Sequence, residues 1–311
     1  MKHLLSLRET PESDIRYLLD TAQVFKEILA RPVKKVPTLR GRAMITLFYE
    51  NSTRTRTSFE MAAKIMSAEA INIAVAQSSV AKGECLKDTL LTLQALKADC
   101  VVMRHSASGA AEFAAAQLGI PVVNAGDGRH EHPTQGLLDM LTIRQHKGDL
   151  SGLTVAIVGD ILHSRVARSN VWGLTKLGAE VRLVGPRTLL PPHAEGLPVR
   201  VYDNLRQGLE GADVVNVLRL QLERMERGLL PSLREYSRMF GISPTSIRFA
   251  RPDALVLHPG PMNRGVEISA DVADGRHGIA SAVEEQVTNG VAVRMAVLYT
   301  LMGAQNPSIT D

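Results

Sequence analysis

Short apolar runs without polar alternation recur along this sequence, separated by helix-forming stretches. The runs are AMITLFYE (43–50), INIAVA (71–76), DCVVMRH (99–105) and PVVNAG (121–126). A second series holds TVAIVGD (154–160), EVRLVGP (180–186), ADVVNVLRL (212–220) and ALVLHPGP (254–261). A strand with one wet face alternates polar and apolar residues, whereas a strand covered on both faces does not. Helical stretches fill the first series: TSFEMAAKIM (57–66), LKDTLLTLQALK (86–97), GAAEFAAAQLG (109–119) and TQGLLDMLTIRQH (134–146). Another is expected from about Ser164 to Leu177. The pattern predicts an α/β chain with two doubly wound parallel sheets. Thr10-Pro11 predicts an N-cap and first helical position, with the helix running to about Ala30. The division between the series is expected within 130–150, where Lys147-Gly148-Asp149 is the clearest helix end. A last helix is expected within 281–303.

Composition narrows the class. A length of 311 residues suits about two domains. Aromatics are only 4%, so the cores must be built mainly from Ala, Val, Leu and Ile. A net charge of +4, with no basic block or aromatic RNA-binding motif, argues against nucleic acid. Cys85 and Cys100 have neither metal-like nor disulfide-framework spacing, which fits a reducing cytoplasm. The start, MKHLLSLRETPESD, has no long apolar run, and no stretch reaches about 18 uninterrupted apolar residues. Neither a signal peptide nor a membrane span is expected. The Asn51-Ser52-Thr53 sequon is then read as chance.

The stretch FYENSTRTRTSFE (48–60) joins a strand to a helix. The first N–H groups of a helix lack intrahelical partners, and its dipole is positive at that end. Ser52, Thr53, Thr55 and Thr57 can add hydroxyl donors, and Arg54 a bidentate clamp. The stretch reads as an anion site, although a capped helix with two solvated arginines would also fit. No glycine-rich phosphate loop is present, so ATP is not inferred. Other strand ends are polar too: Arg104-His105, His132-Pro133-Thr134-Gln135 and His258-Pro259-Gly260-Pro261. Open α/β sheets bind ligands beyond their carboxyl edges. VGDILHSRVARS (158–169) lacks GxGxxG, so a dinucleotide is disfavoured, but it brings Arg165 to a helix start. Arg219 follows a strand in the same way. His130-Glu131-His132 lacks the HExxH spacing and thiolate partners, so no metal is expected.

Together these residues resemble the aspartate carbamoyltransferase family over nearly the whole chain. STRTRTSFE is similar to the family's Ser-Thr-Arg-Thr-Arg signature, HPTQ to its His-Pro-x-Gln segment, and HPGPMNRGVEI to its His-Pro-x-Pro segment. The resemblance implies a carbamoyl phosphate domain (1–132 plus about 286–311) and an aspartate domain (about 133–285). The C-terminal helix is expected to return to the first domain. By resemblance, Ser52, Thr53, Arg54, Thr55 and Arg104 hold the phosphate, while Thr55, Arg104 and His132 polarise the carbonyl. Gln135 and the backbone around Pro259 and Gly260 hold the carbamoyl amide, with Pro261 shaping the turn. Ser78 and Lys82 match a loop that reaches a neighbouring subunit's site. Arg165 grips the aspartate α-carboxylate, and Arg219 with Gln221 grips the side-chain carboxylate.

The charges agree with this reading. A phosphate group carries about −1.5 to −2 near neutral pH, and aspartate brings two carboxylates. Arg54, Lys82, Arg104, Arg165 and Arg219 roughly match that load. Arg56 is left as an expected ion-pair partner. The resemblance implies transfer of a carbamoyl group to aspartate in pyrimidine biosynthesis, with no cofactor. It also implies a cytoplasmic homotrimer with shared sites, and a regulatory chain or dihydroorotase as possible further partners. Ornithine carbamoyltransferase reads its amino acid with a Ser-Met-Gly loop and a His-Cys-Leu-Pro segment; RLQLER and HPGP stand here instead. A non-catalytic relative would be expected to lose site residues, and none is lost. Two positions depart from the family pattern: Asn51 stands where some members have Pro, and Glu131 where a neutral amide is common. Glu131 is expected to raise the pKa of His132 by charge proximity.

Overall fold

The computed structural model describes residues 1–74, 83–192, 194–222, 225 and 228–303. The chain falls into two compact units, Met1–Leu141 with the segment from Thr288 onward, and Thr142–Val287.

The first unit opens with α1 (Glu12–Leu29), then β1 (Ala43–Phe48), α2 (Thr53–Ile65), β2 (Glu69–Ala74), α3 (Leu86–Ala95), β3 (Cys100–His105), α4 (Ala110–Gln117) and β4 (Val122–Asp127). Helix α5 (Pro133–Lys147) follows. It ends where Lys147-Gly148-Asp149 predicted, with Gly148 at φ +80 supplying the left-handed residue that stops a helix. The N-cap of α1 is Pro11, one residue later than expected. The Thr10 hydroxyl donates instead to the Ser6 carbonyl at 2.6 Å. Pro11 can still accept the first helical bonds through its own carbonyl, from Asp14 and Ile15.

The second unit contains β5 (Thr154–Val158), α6 (Arg165–Lys176), β6 (Glu180–Val184), β7 (Arg200–Tyr202), α7 (Leu205–Leu209), β8 (Val214–Val217), α8 (Leu233–Phe240), β9 (Leu255–Leu257), α9 (Ala270–Ala273) and β10 (Ala280–Ser281). The final helix is α10 (Val283–Leu298). Its later half belongs to the first unit, where the Arg294 guanidinium lies 5.1 Å from the centroid of the buried Phe59 ring on α2. The C-terminal helix thus returns to the first domain, as expected.

Both sheets are parallel and doubly wound. The first has strand order β2-β1-β3-β4, the second β10-β9-β8-β5-β6-β7. In the first sheet the chain leaves β1 toward β2, then crosses back to β3 on the other side. In the second it runs β5-β6-β7, then returns to β8 beside β5. Each sheet therefore has one switch point, between β1 and β3 and between β5 and β8. Crevices beyond the carboxyl ends at such points are where open α/β sheets take ligands.

The cores match the composition. Ile45, Leu47, Val101, Met103 and Val122 face Leu90, Leu93 and Ala114 in the first unit. Val158, Val184, Val215, Val217 and Val256 lead the second, joined by Tyr236 and Phe240 of α8. Strands β1, β3, β4 and β8 bury nearly every residue, as helices on both faces require, whereas the edge strands β2 and β7 are half-buried or exposed.

Candidate active site

The expected site residues that are described lie beyond the carboxyl ends of the strands, at or beside the switch point of each unit. In the first unit Ser52 is the N-cap of α2, in extended conformation, and makes no side-chain cap bond. Thr53 and Arg54 are exposed at the helix start, while Thr55 is buried. Among the described helices of eight residues or more, α1, α3, α4, α8 and α10 carry an acid in the first turn. Only α2, α5 and α6 do not. Those three start at His132–Gln135, at Ser164-Arg165 and at the STRTRT stretch. An acid stabilises a helix N-terminus by about 0.3–1 kcal/mol. Its omission at these three helix starts leaves their positive ends open to anions.

Arg104 is the penultimate residue of β3, next to β1 in the sheet. Its Nε lies 3.4 Å from Glu50 Oε2, and its Nη1 donates to the Ala125 carbonyl at 3.2 Å. Glu50 and the β4 backbone thus fix a guanidinium beside the α2 N-terminus. The Arg104 carbonyl accepts from Tyr49 N–H at 2.9 Å, tying the two strand ends together. Arg56 lies 4.0 Å from Glu60, one turn along α2. The His105 ring lies tilted against Tyr49 with centroids 4.7 Å apart, and burial lowers its pKa.

His132 and Gln135 come from the loop after β4. Asp127 organises that loop. Its carboxylate accepts from Gly109 N–H (2.7 Å), Asn124 Nδ2 (2.7 Å) and Glu131 N–H (3.2 Å), and lies 3.1 Å from His130 Nδ1. Burial alone would raise its pKa, but the hydrogen bonds from His130, Asn124 and Gly109 outweigh it and hold the group below the usual carboxylate range. Gly128, at φ +46, lets the loop lie against the 106–108 turn; a Cβ there would meet Ser108 Oγ at 2.4 Å. His132 is 5% exposed, and its carbonyl accepts from Gln135 and Gly136 at the start of α5. The Gln135 amide nitrogen donates to Asp139 Oδ1 at 2.9 Å, which turns the amide oxygen away from that acid.

Glu131 engages the N-terminal segment. Its two carboxylate oxygens accept from Leu7 N–H at 2.7 Å and Arg8 N–H at 3.1 Å.

The second unit repeats the arrangement. Arg165 is the first residue of α6 and is 5% exposed, behind Ser164, whose hydroxyl accepts from Ala167 N–H. Arg219 and Gln221 follow β8. Asp160, at the end of β5, joins these segments: Oδ1 lies 2.7 Å from His163 Nδ1, and Oδ2 accepts from Gln221 N–H at 3.3 Å. Gln221 Nε2 donates to the His163 carbonyl at 3.2 Å. Gly159 has φ +128, and a Cβ would meet the Leu218 carbonyl at 3.0 Å, so the two strand ends touch only because it is glycine. Pro259, Gly260 and Pro261 form the turn after β9, with Gly260 at φ +58 and a cis bond to Pro261. Asn263 Nδ2 reaches the Leu220 carbonyl at 3.5 Å, linking this turn to the Arg219 segment. Ser78 and Lys82 lie outside the described residues, as do Glu223 and Arg224 of RLQLER.

Sequence reading missed the acids that orient these groups: Glu50, Asp127, Asp139 and Asp160. Each is a common residue in an apolar or mixed context, with no local signal beyond its closeness to a strand end.

Comparison with known proteins agrees with this layout. Residues 2–145 match the family described as aspartate/ornithine carbamoyltransferase, carbamoyl-P binding domain, and residues 151–301 match the partner Asp/Orn binding domain. The aspartate carbamoyltransferase catalytic subunit of Desulforamulus reducens is 60% identical over 310 residues, covering 100% of this chain and 98% of that protein. That of Moorella thermoacetica is 59% identical over 305 residues, covering 98% of both. Among solved structures, aspartate transcarbamoylase from Trypanosoma cruzi in complex with carbamoyl aspartate and phosphate is 31% identical, with a TM-score of 0.87, covering 97% of this chain and 96% of that one. Ornithine carbamoyltransferase from Pyrococcus furiosus is 27% identical with a TM-score of 0.86, covering 98% of both chains. Two matched domains in the same order, each with its polar groups at a sheet switch point, make this chain a member of the aspartate/ornithine carbamoyltransferase family.

Proposed function

We propose that this chain transfers the carbamoyl group of carbamoyl phosphate to the amino group of L-aspartate, giving N-carbamoyl-L-aspartate and phosphate. The observation that carries the choice of aspartate is the pair of arginines at the second switch point. Arg165 opens α6, and Arg219 follows β8 beside a Gln221 that is tied to Asp160 and His163. A dicarboxylate needs two cations, and the ammonium of ornithine would be repelled by Arg219. Relatives at 55–60% identity, all aspartate carbamoyltransferase catalytic subunits, support the same choice.

Phosphate is held by Ser52, Thr53, Arg54 and Thr55 at the α2 N-terminus and by Arg104. Thr55, Arg104 and His132 donate to the carbonyl oxygen, where negative charge grows as the neutral amine attacks the carbamoyl carbon. Gln135 accepts from the carbamoyl amide through the oxygen that Asp139 leaves turned outward, joined by backbone acceptors around Pro259, Gly260 and Pro261. Ser78 and Lys82, from a neighbouring subunit, complete the aspartate site with Arg165, Arg219 and Gln221. Phosphate then leaves with the amine's proton. Bringing the two reactants together supplies much of the rate. The functional division follows as residues 1–132 plus about 286–311 for carbamoyl phosphate, and about 133–285 for aspartate.

The working protein is a cytoplasmic homotrimer with C₃ closure, serving pyrimidine biosynthesis. Among the described residues no helix is long and apolar enough to cross a membrane. The test is product formation by the purified chain with carbamoyl phosphate, offering aspartate and ornithine in parallel. Carbamoyl aspartate alone is expected; citrulline would overturn the role given to Arg219.

A further inference from the structure

The second unit buries an imidazole–carboxyl pair to which no substrate role has been given. His258 and Glu267 are both 0% exposed at the side chain, with Nε2 and Oε1 3.3 Å apart. His258 Nδ1 accepts from the backbone N–H of Gly260 at 2.8 Å. A backbone N–H can only donate, so Nδ1 carries a lone pair and the ring proton sits on Nε2, facing Glu267. Glu267 Oε1 also accepts from Asn263 N–H at 2.6 Å. On the other flank His258 N–H donates to Gln286 Oε1 at 2.9 Å. The turn 258–263 is therefore bonded at its first, third and sixth residues, through the buried side chains of Gln286, His258 and Glu267.

Packing alone does not account for this. A buried pair of this kind adds little net stability over apolar residues of the same volume. What it adds is direction. Gly260 is held at φ +58 by its bond to Nδ1, and that conformation aims the backbone of residues 259–261. Tyr236, 3% exposed, stands close enough for Glu267 and Asp160 to push its phenol up after burial has done so, which marks the pair as enclosed.

We propose that His258 and Glu267 are positioning residues that fix the Pro259–Pro261 carbonyls for the carbamoyl amide, and so set the preference for carbamoyl phosphate over inorganic phosphate. This rests on the functional reading above. His258 and Glu267 belong to the second unit and the phosphate cradle at α2 to the first, so the two ligands separate the pair's contribution from that of the cradle.

The test is calorimetric titration of the full chain with carbamoyl phosphate and, separately, with inorganic phosphate. His258→Asn keeps an acceptor where Nδ1 stands; His258→Gln reaches toward Glu267 but offers nothing to Gly260 N–H. His258→Gln is expected to lose about tenfold in carbamoyl phosphate affinity, the size of one hydrogen bond, with phosphate affinity unchanged. His258→Asn should stay near wild type for both ligands. The proposal is overturned if His258→Gln keeps the wild-type preference, or if both variants lose both ligands alike. It is equally overturned if neither variant melts cooperatively, since the pair would then serve the fold alone. Failure of the functional reading itself looks different: the wild-type chain would show no preference for carbamoyl phosphate.

Discussion

Asp127 touches no reactant, yet it determines where His132 stands. Its carboxylate draws together β4, the start of α4 and the loop that leads to α5. Because its folded pKa lies below the ordinary 3.8, its contribution to stability is fully present above that value. The contribution is lost as the pH falls through the folded pKa. Asp127→Asn should therefore lower the melting temperature at neutral pH but flatten its fall below about pH 4, as followed by calorimetry across a pH series. At this scale the sequence was half legible. Arg104, His132, Arg165 and Arg219 announce themselves as polar residues where an apolar run stops. Their partners do not. Glu50 comes from a different strand end than Arg104, and Asp160 from a different one than Gln221, and neither acid carries a pattern of its own. The clasp of Glu131 on the Leu7 and Arg8 amides spans more than a hundred residues, and no local reading predicts it.

Helix α2 illustrates a conflict between stability and binding that is built into one element. Its first turn has no acid, although an acid there would stabilise the helix by about 0.3–1 kcal/mol. Thr53→Asp should hold or raise the melting temperature while abolishing turnover, because the added carboxylate occupies the position of the phosphate charge. A variant that stays active would remove α2 from the site. Long elements were the legible ones, since α2, α5, α6 and most strands are fixed by period and by their stop signals. The stretch between β6 and β8 was not, because β7 has three residues and α7 five, too short for a period to show. Helix α8 was missed for a related reason: only Tyr236 and Phe240 of its eight residues are buried, and two apolar anchors among polar residues look like loop.

For the whole molecule, the shared-site trimer is the proposal with the largest consequences. Arg54→Ala should be folded and inactive, and Lys82→Ala likewise. If each site combines Arg54 of one subunit with Lys82 of another, mixing the two variants after subunit exchange should restore measurable activity, which neither preparation has alone. Sedimentation of the mixture should show a single trimeric species. No recovery after verified exchange would mean that each subunit carries a complete site.

The three acid-free helix starts also make this a protein whose resistance to heat depends on its buffer. With no acid in the first turn of α2, α5 and α6, the folded chain leaves positive ends that favour a doubly charged oxyanion such as phosphate over chloride, whereas the unfolded chain has none. Phosphate at about 100 times its dissociation constant would add about 2.7 kcal/mol to the folded state. The midpoint of thermal unfolding should rise with the logarithm of phosphate concentration and not with chloride at matched ionic strength. In a cell, such a protein would be most durable when its substrates are plentiful, so its lifetime would follow the supply of the compounds that it consumes.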